Sequence, residues 1–177
     1  QNSQSRWLMQ KLLGISQARR LPQLAPRPFL GSVSRRGLDR LDNDDANRVT
    51  LFVDTFANYY DTELAELLVR VLEHNGVGIY VPTSQSHSAM PMVSQGALEP
   101  AARAAHRNVQ LLAESVRRGH TIISTEPSAV LALTREYPAL LKNDDDAQLV
   151  AENTRDACEY LWHLHQRGRL QLDFQTQ

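Results

Sequence analysis

The chain of 177 residues contains one cysteine, Cys158. That excludes an intramolecular disulfide framework, a cysteine-only zinc site and any cluster held by several thiolates of this chain. No apolar run reaches the about 18 residues that a membrane-spanning helix needs. The first residues lack a basic stretch followed by an apolar core, the pattern of a signal peptide. Residues 1–36 lack acidic side chains altogether while holding seven Lys and Arg, and residues 37–177 hold twelve basic and twenty acidic residues. The net charge of −1 is therefore a basic arm set against an acidic body of net −8. No internal repeat is visible. With 42% hydrophobic and 22% charged residues, the chain as a whole has the composition of an ordinary soluble globular protein.

Residues 6–15 read as a short amphipathic helix that Gly14 stops, with Trp7, Leu8, Lys11 and Leu12 on one side. From Arg19 to Arg36, three prolines and five arginines predict extended chain, better suited to a connector than to a nucleic-acid site because aromatic interleaving is missing. Residues 42–45 form a polar turn, and the compact domain is expected to start after it. Val49 to Val53 reads as a buried strand. Asp61 and Thr62 can then cap a helix through His74, whose apolar face is Leu64, Leu67, Leu68, Val71 and Leu72. Residues 77–81 form a second strand and residues 83–96 a loop. A helix over 98–118 presents Leu98, Ala101, Ala105, Val109, Leu112 and Val116. Residues 120–124 make a third strand, 128–137 a helix ended by Pro138, and 147–166 a single long helix. Leu170 to Phe174 alternates like a fourth strand. This order predicts a three-layer α/β fold, a parallel sheet of about four strands with helices on both faces and an N-terminal extended arm. The boundaries are 1–47 for the basic helix and Pro-rich connector and 48–177 for the α/β domain. A start without Met and the late strand lead us to expect a fragment of a longer protein.

In open parallel sheets ligands sit beyond the carboxyl ends of the strands. The three loops leaving those ends carry Asp54, Tyr59 and Tyr60; then Ser84, Ser86, His87 and Ser88; then Glu126 and Ser128. Asp54, His87 and a loop serine have the residue types of a hydrolase triad, but no Gly-x-Ser-x-Gly elbow accompanies them. His87, Glu126 and Asp54 could also approach a metal, though two of the three would lie on unconstrained loops. Tyr59 and Tyr60 either line a pocket or bury against the first domain helix. Cys158, His163 and His165 share one predicted helix, where a buried cysteine and surface histidines are the expectation.

The runs from Asp54 to Tyr60, from Met90 to Ala102, from Glu126 to Ala129 and from Glu136 to Leu141 resemble the cysteine-rich (CCG) domain of iron–sulfur oxidoreductases. That family includes the C subunit of anaerobic glycerol-3-phosphate dehydrogenase, the iron–sulfur subunit of glycolate oxidase and the B subunit of heterodisulfide reductase. Trp7 to Ile15, Arg19 to Pro22 and Pro28-Phe29 are similar to the connector that such proteins place between a ferredoxin-like module and the first cysteine-rich repeat. The resemblance implies cluster-ligand positions near Thr55 or Phe56, at His87-Ser88, and over Glu126 to Ala129. Thirty-one residues separate Thr55 from His87 and thirty-seven separate Ser88 from Glu126, which suits the family's spacing. None of these positions holds cysteine, and Thr, Ser and Ala do not replace thiolates.

The resemblance thus implies a first, ligand-degenerate repeat without cluster, metal or catalytic residue of its own, structural and docking in role. The parent protein would be an oxidoreductase subunit with iron–sulfur clusters elsewhere. It would relay electrons from a flavin-dependent 2-hydroxy-acid or glycerol-3-phosphate dehydrogenase. Implied partners are the second cysteine-rich repeat, the ferredoxin-like module and the flavin dehydrogenase subunit. Nucleic acid is not among them, and the location is cytoplasmic, peripheral at the inner membrane face only through partners. The rival is a standalone small-molecule-binding or hydrolytic domain that uses His87 and Glu126 on the same scaffold.

Overall fold

A computed structural model describes residues 3–19, 22–41 and 47–173. The polar turn expected at 42–45 and Phe174, the end of the expected last strand, lie outside them. Four parallel strands form one sheet in the order β2-β1-β3-β4: β1 (Arg48–Leu51), β2 (Gly78–Tyr80), β3 (Thr121–Ser124) and β4 (Thr154–Asp156). Their side chains alternate between two cores. Val49, Leu51 and Ile123 face one side, where they meet Leu68 and Leu72 of α4 (Thr62–His74) and Leu164 of α10 (Ala157–Gln166). Phe52 and Ile122 face the other, against Val109 and Leu112 of α6 (Leu98–Arg117) and Val150 of α9 (Asp145–Glu152). Both faces of the sheet are dry, as an all-parallel sheet requires, and the expected three-layer α/β fold is present.

The arm begins with helix α1 (Ser3–Leu13), which buries none of its residues. The stretch expected to be extended through Arg36 instead turns helical at α2 (Leu30–Val33), followed by a 3₁₀ turn over Ser34–Arg36. Burial drives this, because Phe29 and Val33 are 1% and 0% exposed and join the core of β1 and α4. A helical turn brings residues four apart onto one side. Gly37, at φ 71°, reverses the chain where a side chain would be strained. Leu38 then accepts a backbone hydrogen bond from Val81 N–H at 2.7 Å, just beyond β2.

In α4 the buried residues are Ala65, Leu68, Val69 and Leu72, one step round from the expected face. Leu64 and Leu67 are left 37% and 47% exposed, beside the short helix α3 (Thr55–Tyr59). Of the two expected caps Asp61 is the one in place, accepting from Leu64 N–H at 3.3 Å, and Thr62 is the first residue of α4. The loop after β2 contains a helical turn, α5 (Met90–Ser94), and α6 keeps its expected stripe except for Leu98, which is 54% exposed.

Two corrections concern the last third. Pro138 does not end its helix. The chain stays helical through α7 (Pro127–Leu131), a π segment (Ala132–Glu136) and α8 (Tyr137–Leu140). Tyr137 N–H reaches back five residues to Ala132, and this wider turn makes room for a ring that would otherwise strike the preceding turn. The single helix expected over 147–166 is two helices with β4 between them. Asn153 ends α9, and the Asp156 side chain caps α10 by accepting from Cys158 N–H at 2.8 Å. The fourth strand is thus residues 154–156, and residues 171–173 form none. Cys158, expected to be buried, is exposed.

Candidate functional site

The chain leaves β1 for β2 on one side of the sheet and crosses to β3 on the other. The carboxyl ends of β1 and β3 therefore flank the point where the strand order reverses, the usual place for a crevice. A pocket of about 420 Å³ opens there, lined by Asp54, Thr55, Phe56, Tyr60, Ser88, Glu126 and Ser128 among others. All three loops singled out from the sequence contribute to it.

Two carboxylates tie these loops together. Glu126 spans the crevice and accepts hydrogen bonds from Phe56 N–H at 3.2 Å and Ala57 N–H at 3.0 Å, in the first turn of α3. Asp54, 6% exposed, accepts from Ser88 N–H at 3.0 Å and from the Thr55 hydroxyl at 3.2 Å. Both oxygens of Glu126 and the Oδ1 of Asp54 thus accept from backbone amides or a neighbouring hydroxyl. Such charge-assisted bonds are stronger than neutral ones.

The Glu126 carboxyl lies above its ordinary value of 4.5. Burial is the main cause and the nearby Asp54 charge adds to it, while the amides of Ala57 and Phe56 oppose. A carboxyl raised on folding gives stability that is fully present below 4.5 and is lost as pH rises through the folded value. Glu126→Gln removes this dependence. Urea titrations at fixed ionic strength should show the stability of wild type falling relative to the variant as pH rises from about 4.5.

The expected candidates divide. Asp54, Thr55, Tyr60, Ser88 and Glu126 share the pocket. Tyr59 stays 45% exposed outside its lining, and Ala129 is fully buried in the core on the α6 side. His87 is exposed, and its Nδ1 accepts from Ala89 N–H at 3.0 Å. It is not brought to the lining beside Glu126. Among the described residues no three His, Cys, Asp or Glu side chains are grouped to hold a metal ion.

Sequence reasoning does not single out Asn108, although it sets the second loop. Buried on α6, it accepts from Ser86 N–H at 2.8 Å and donates to Ser86 O and His87 O at 3.2 Å each. It also donates to the Tyr137 hydroxyl at 2.8 Å. A lone asparagine within an apolar helical stripe is the only signal. The loop so held forces Ala89 into the left-handed region at φ 64°, which costs an L-residue about 1–2 kcal/mol. Such strain collects at functional sites.

No family model matches the chain, and no solved structure matches it. Over 167 residues it is 26% identical to the C subunit of anaerobic glycerol-3-phosphate dehydrogenase of Escherichia coli K12, a match that covers 93% of this chain and 41% of that protein. Over 118 residues it is 26% identical to lactate utilization protein A of Bacillus cytotoxicus, covering 64% and 47%. Lactate utilization protein A of Bacillus thuringiensis gives the same identity and coverage. The chain spans less than half the length of these relatives. The likeness first carried by the loops thus extends along the chain, and the protein is a distant homologue of lactate utilization protein A and of the C subunit of anaerobic glycerol-3-phosphate dehydrogenase.

Proposed function

We propose that this chain is a ligand-degenerate cysteine-rich repeat of an iron–sulfur electron-transfer subunit, serving a flavin-dependent 2-hydroxy-acid or glycerol-3-phosphate dehydrogenase. Its own part is structural and docking. The observation that carries this reading is the pair of carboxylate ties. In the family the resemblance implies, a cluster joins the three loops through cysteine. Here Glu126 and Asp54 join them through amides instead. The side-chain donors at the pocket are carboxylate and hydroxyl oxygens and the Met90 thioether, with no thiolate among them, and the chain's one cysteine is exposed on α10. An iron–sulfur cluster needs thiolates, so these donors do not fit one.

The docking half rests on the rim. Phe56 and Tyr60 line the pocket, stack with ring centroids 6.0 Å apart and stay exposed, which leaves an apolar border there. A second cysteine-rich repeat packing on that border would cover it.

Iron and acid-labile sulfide are the readout. Anaerobically reconstituted, the 177-residue chain should retain neither, while the full-length protein should hold both. Iron and sulfide retained stoichiometrically by the chain alone would overturn the degenerate role. Their absence from the full-length protein would overturn the electron-transfer role.

A further inference from the structure

At the opposite edge of the sheet, where the strands begin, lies a second pocket of about 340 Å³. Four arginines line it, Arg48 at the start of β1, Arg155 in β4, and Arg167 and Arg169 just after α10, together with Asn153 and Tyr160. Among the described residues no Asp or Glu lines it. The arginines come from three separate elements, so sequence spacing alone could not reveal their convergence.

Arginines at this edge have a simpler role to be weighed first, because helices of a parallel sheet end there and carbonyl ends carry negative partial charge. Arg155 does fill that role in part. It donates to Glu152 O at 2.9 Å and Thr154 O at 2.8 Å, and lies 3.8 Å from Glu159. A helix end carries only about half a charge, so with Arg155 beside Glu159 the ends of α6, α9 and α10 still fall short of the two charges of Arg167 and Arg169. Arg167 and Arg169 have no ion pair among the described residues, whereas Arg36, Arg117 and Arg118 elsewhere are each paired with a carboxylate.

The field of these arginines is felt by their neighbours. Burial chiefly raises the Tyr160 hydroxyl, while Arg169 and Arg167 pull it the other way. Burial chiefly lowers His120, at the head of β3, with Arg48 and Arg118 adding to the effect.

We propose that this pocket binds a small polyanion carrying at least two phosphate or carboxylate groups. Arg155, Arg167 and Arg169 supply the charge, and the Tyr160 hydroxyl and the Asn153 amide hydrogen not given to Leu149 O supply neutral donors. Planar guanidinium forks match both kinds of oxyanion with paired hydrogen bonds. The volume lies at the small end of ligand pockets, about 300–1,000 Å³, which suits a compact metabolite rather than a dinucleotide. The site is independent of the crevice between β1 and β3, and the proposal does not rest on the electron-transfer reading.

Isothermal titration of the chain with inorganic pyrophosphate, citrate and acetate tests it. Saturable one-to-one binding of pyrophosphate is expected if phosphate groups are recognised, and of citrate if carboxylates are. Acetate should bind at least tenfold more weakly than either. Arg167→Ala/Arg169→Ala, both at exposed positions, should weaken binding at least tenfold with an unchanged circular dichroism spectrum. Arg35→Ala/Arg36→Ala should leave it unchanged. No saturable heat with either polyanion, or full affinity in the Arg167/Arg169 variant, would overturn the proposal. Binding of polyglutamate but of neither small anion would overturn it in favour of an acidic protein surface.

Discussion

Removal of residues 1–38 is expected to abolish cooperative unfolding, whereas removal of residues 1–21 should shift stability by less than about 1 kcal/mol. Helix α1 has no fully buried residue, so its loss exposes little. The residues from Ala25 onward are different. Ala25 N–H donates to Tyr59 O at 2.7 Å and Phe29 N–H to Asn58 O at 3.0 Å, and Leu30 N–H to the Asn58 side chain at 3.0 Å. Asn58 is 5% exposed beneath this segment, so its removal breaks these bonds and opens Asn58 and the apolar residues around it to water. Phe29, Val33 and Leu38 also leave a hole against β1 and α4. Phe29→Ala alone should cost about 3–5 kcal/mol. Thermal and urea unfolding of the two truncations and the point variant, followed by circular dichroism, gives the comparison. A cooperative transition after removal of residues 1–38 would mean that the arm merely decorates the α/β body.

Asn108→Leu should destabilise the protein by about 3–5 kcal/mol, more than an ordinary core exchange of similar volume. The leucine fills the space but pairs with nothing. Ser86 N–H, Ser86 O, His87 O and the Tyr137 hydroxyl would all lose the same partner. Tyr137 is fully buried, and its hydroxyl is held far above its ordinary value, mainly by burial, so it cannot escape by ionising. Asn108→Asp should lose less at pH 5 than at pH 8, because a protonated carboxyl can still donate one hydrogen bond. Urea midpoints at the two pH values measure both effects. A loss below 1 kcal/mol for Asn108→Leu would show that the second loop is held by its ends alone.

Much of the architecture was legible because apolar runs and helical stripes repeat with distinct periods. Val49 to Val53, residues 77–81 and residues 120–124 each announced a strand within a residue or two of its place. β4 was not legible. Thr154, Arg155 and Asp156 form three residues at the sheet edge, two of them charged, with a helical apolar pattern on either side. A strand so short has no room for an alternation of its own. The cue that did exist was Asp156 as a helix cap, two residues before Cys158.

The candidate site divides along similar lines. Strand order made the meeting of the three loops foreseeable, so Asp54, Ser88 and Glu126 fall together. That their carboxylates hold amides, and that His87 points elsewhere, depends on loop conformations that local sequence does not encode. The arginine pocket is harder still, since residues 48, 155, 167 and 169 are joined only by the tertiary fold.

The brevity of β4 also bears on how the protein behaves when crowded with its own copies. A long, flat, apolar outer strand offers unpaired amides and carbonyls that another molecule can zip onto, the first step toward aggregation. Here β4, one of the two outer strands, offers three residues, and Arg155 and Asp156 put opposite charges on it. Arg155→Val with Asp156→Thr would remove that guard. The result would be a sheet whose open flank recruits its neighbours as concentration rises.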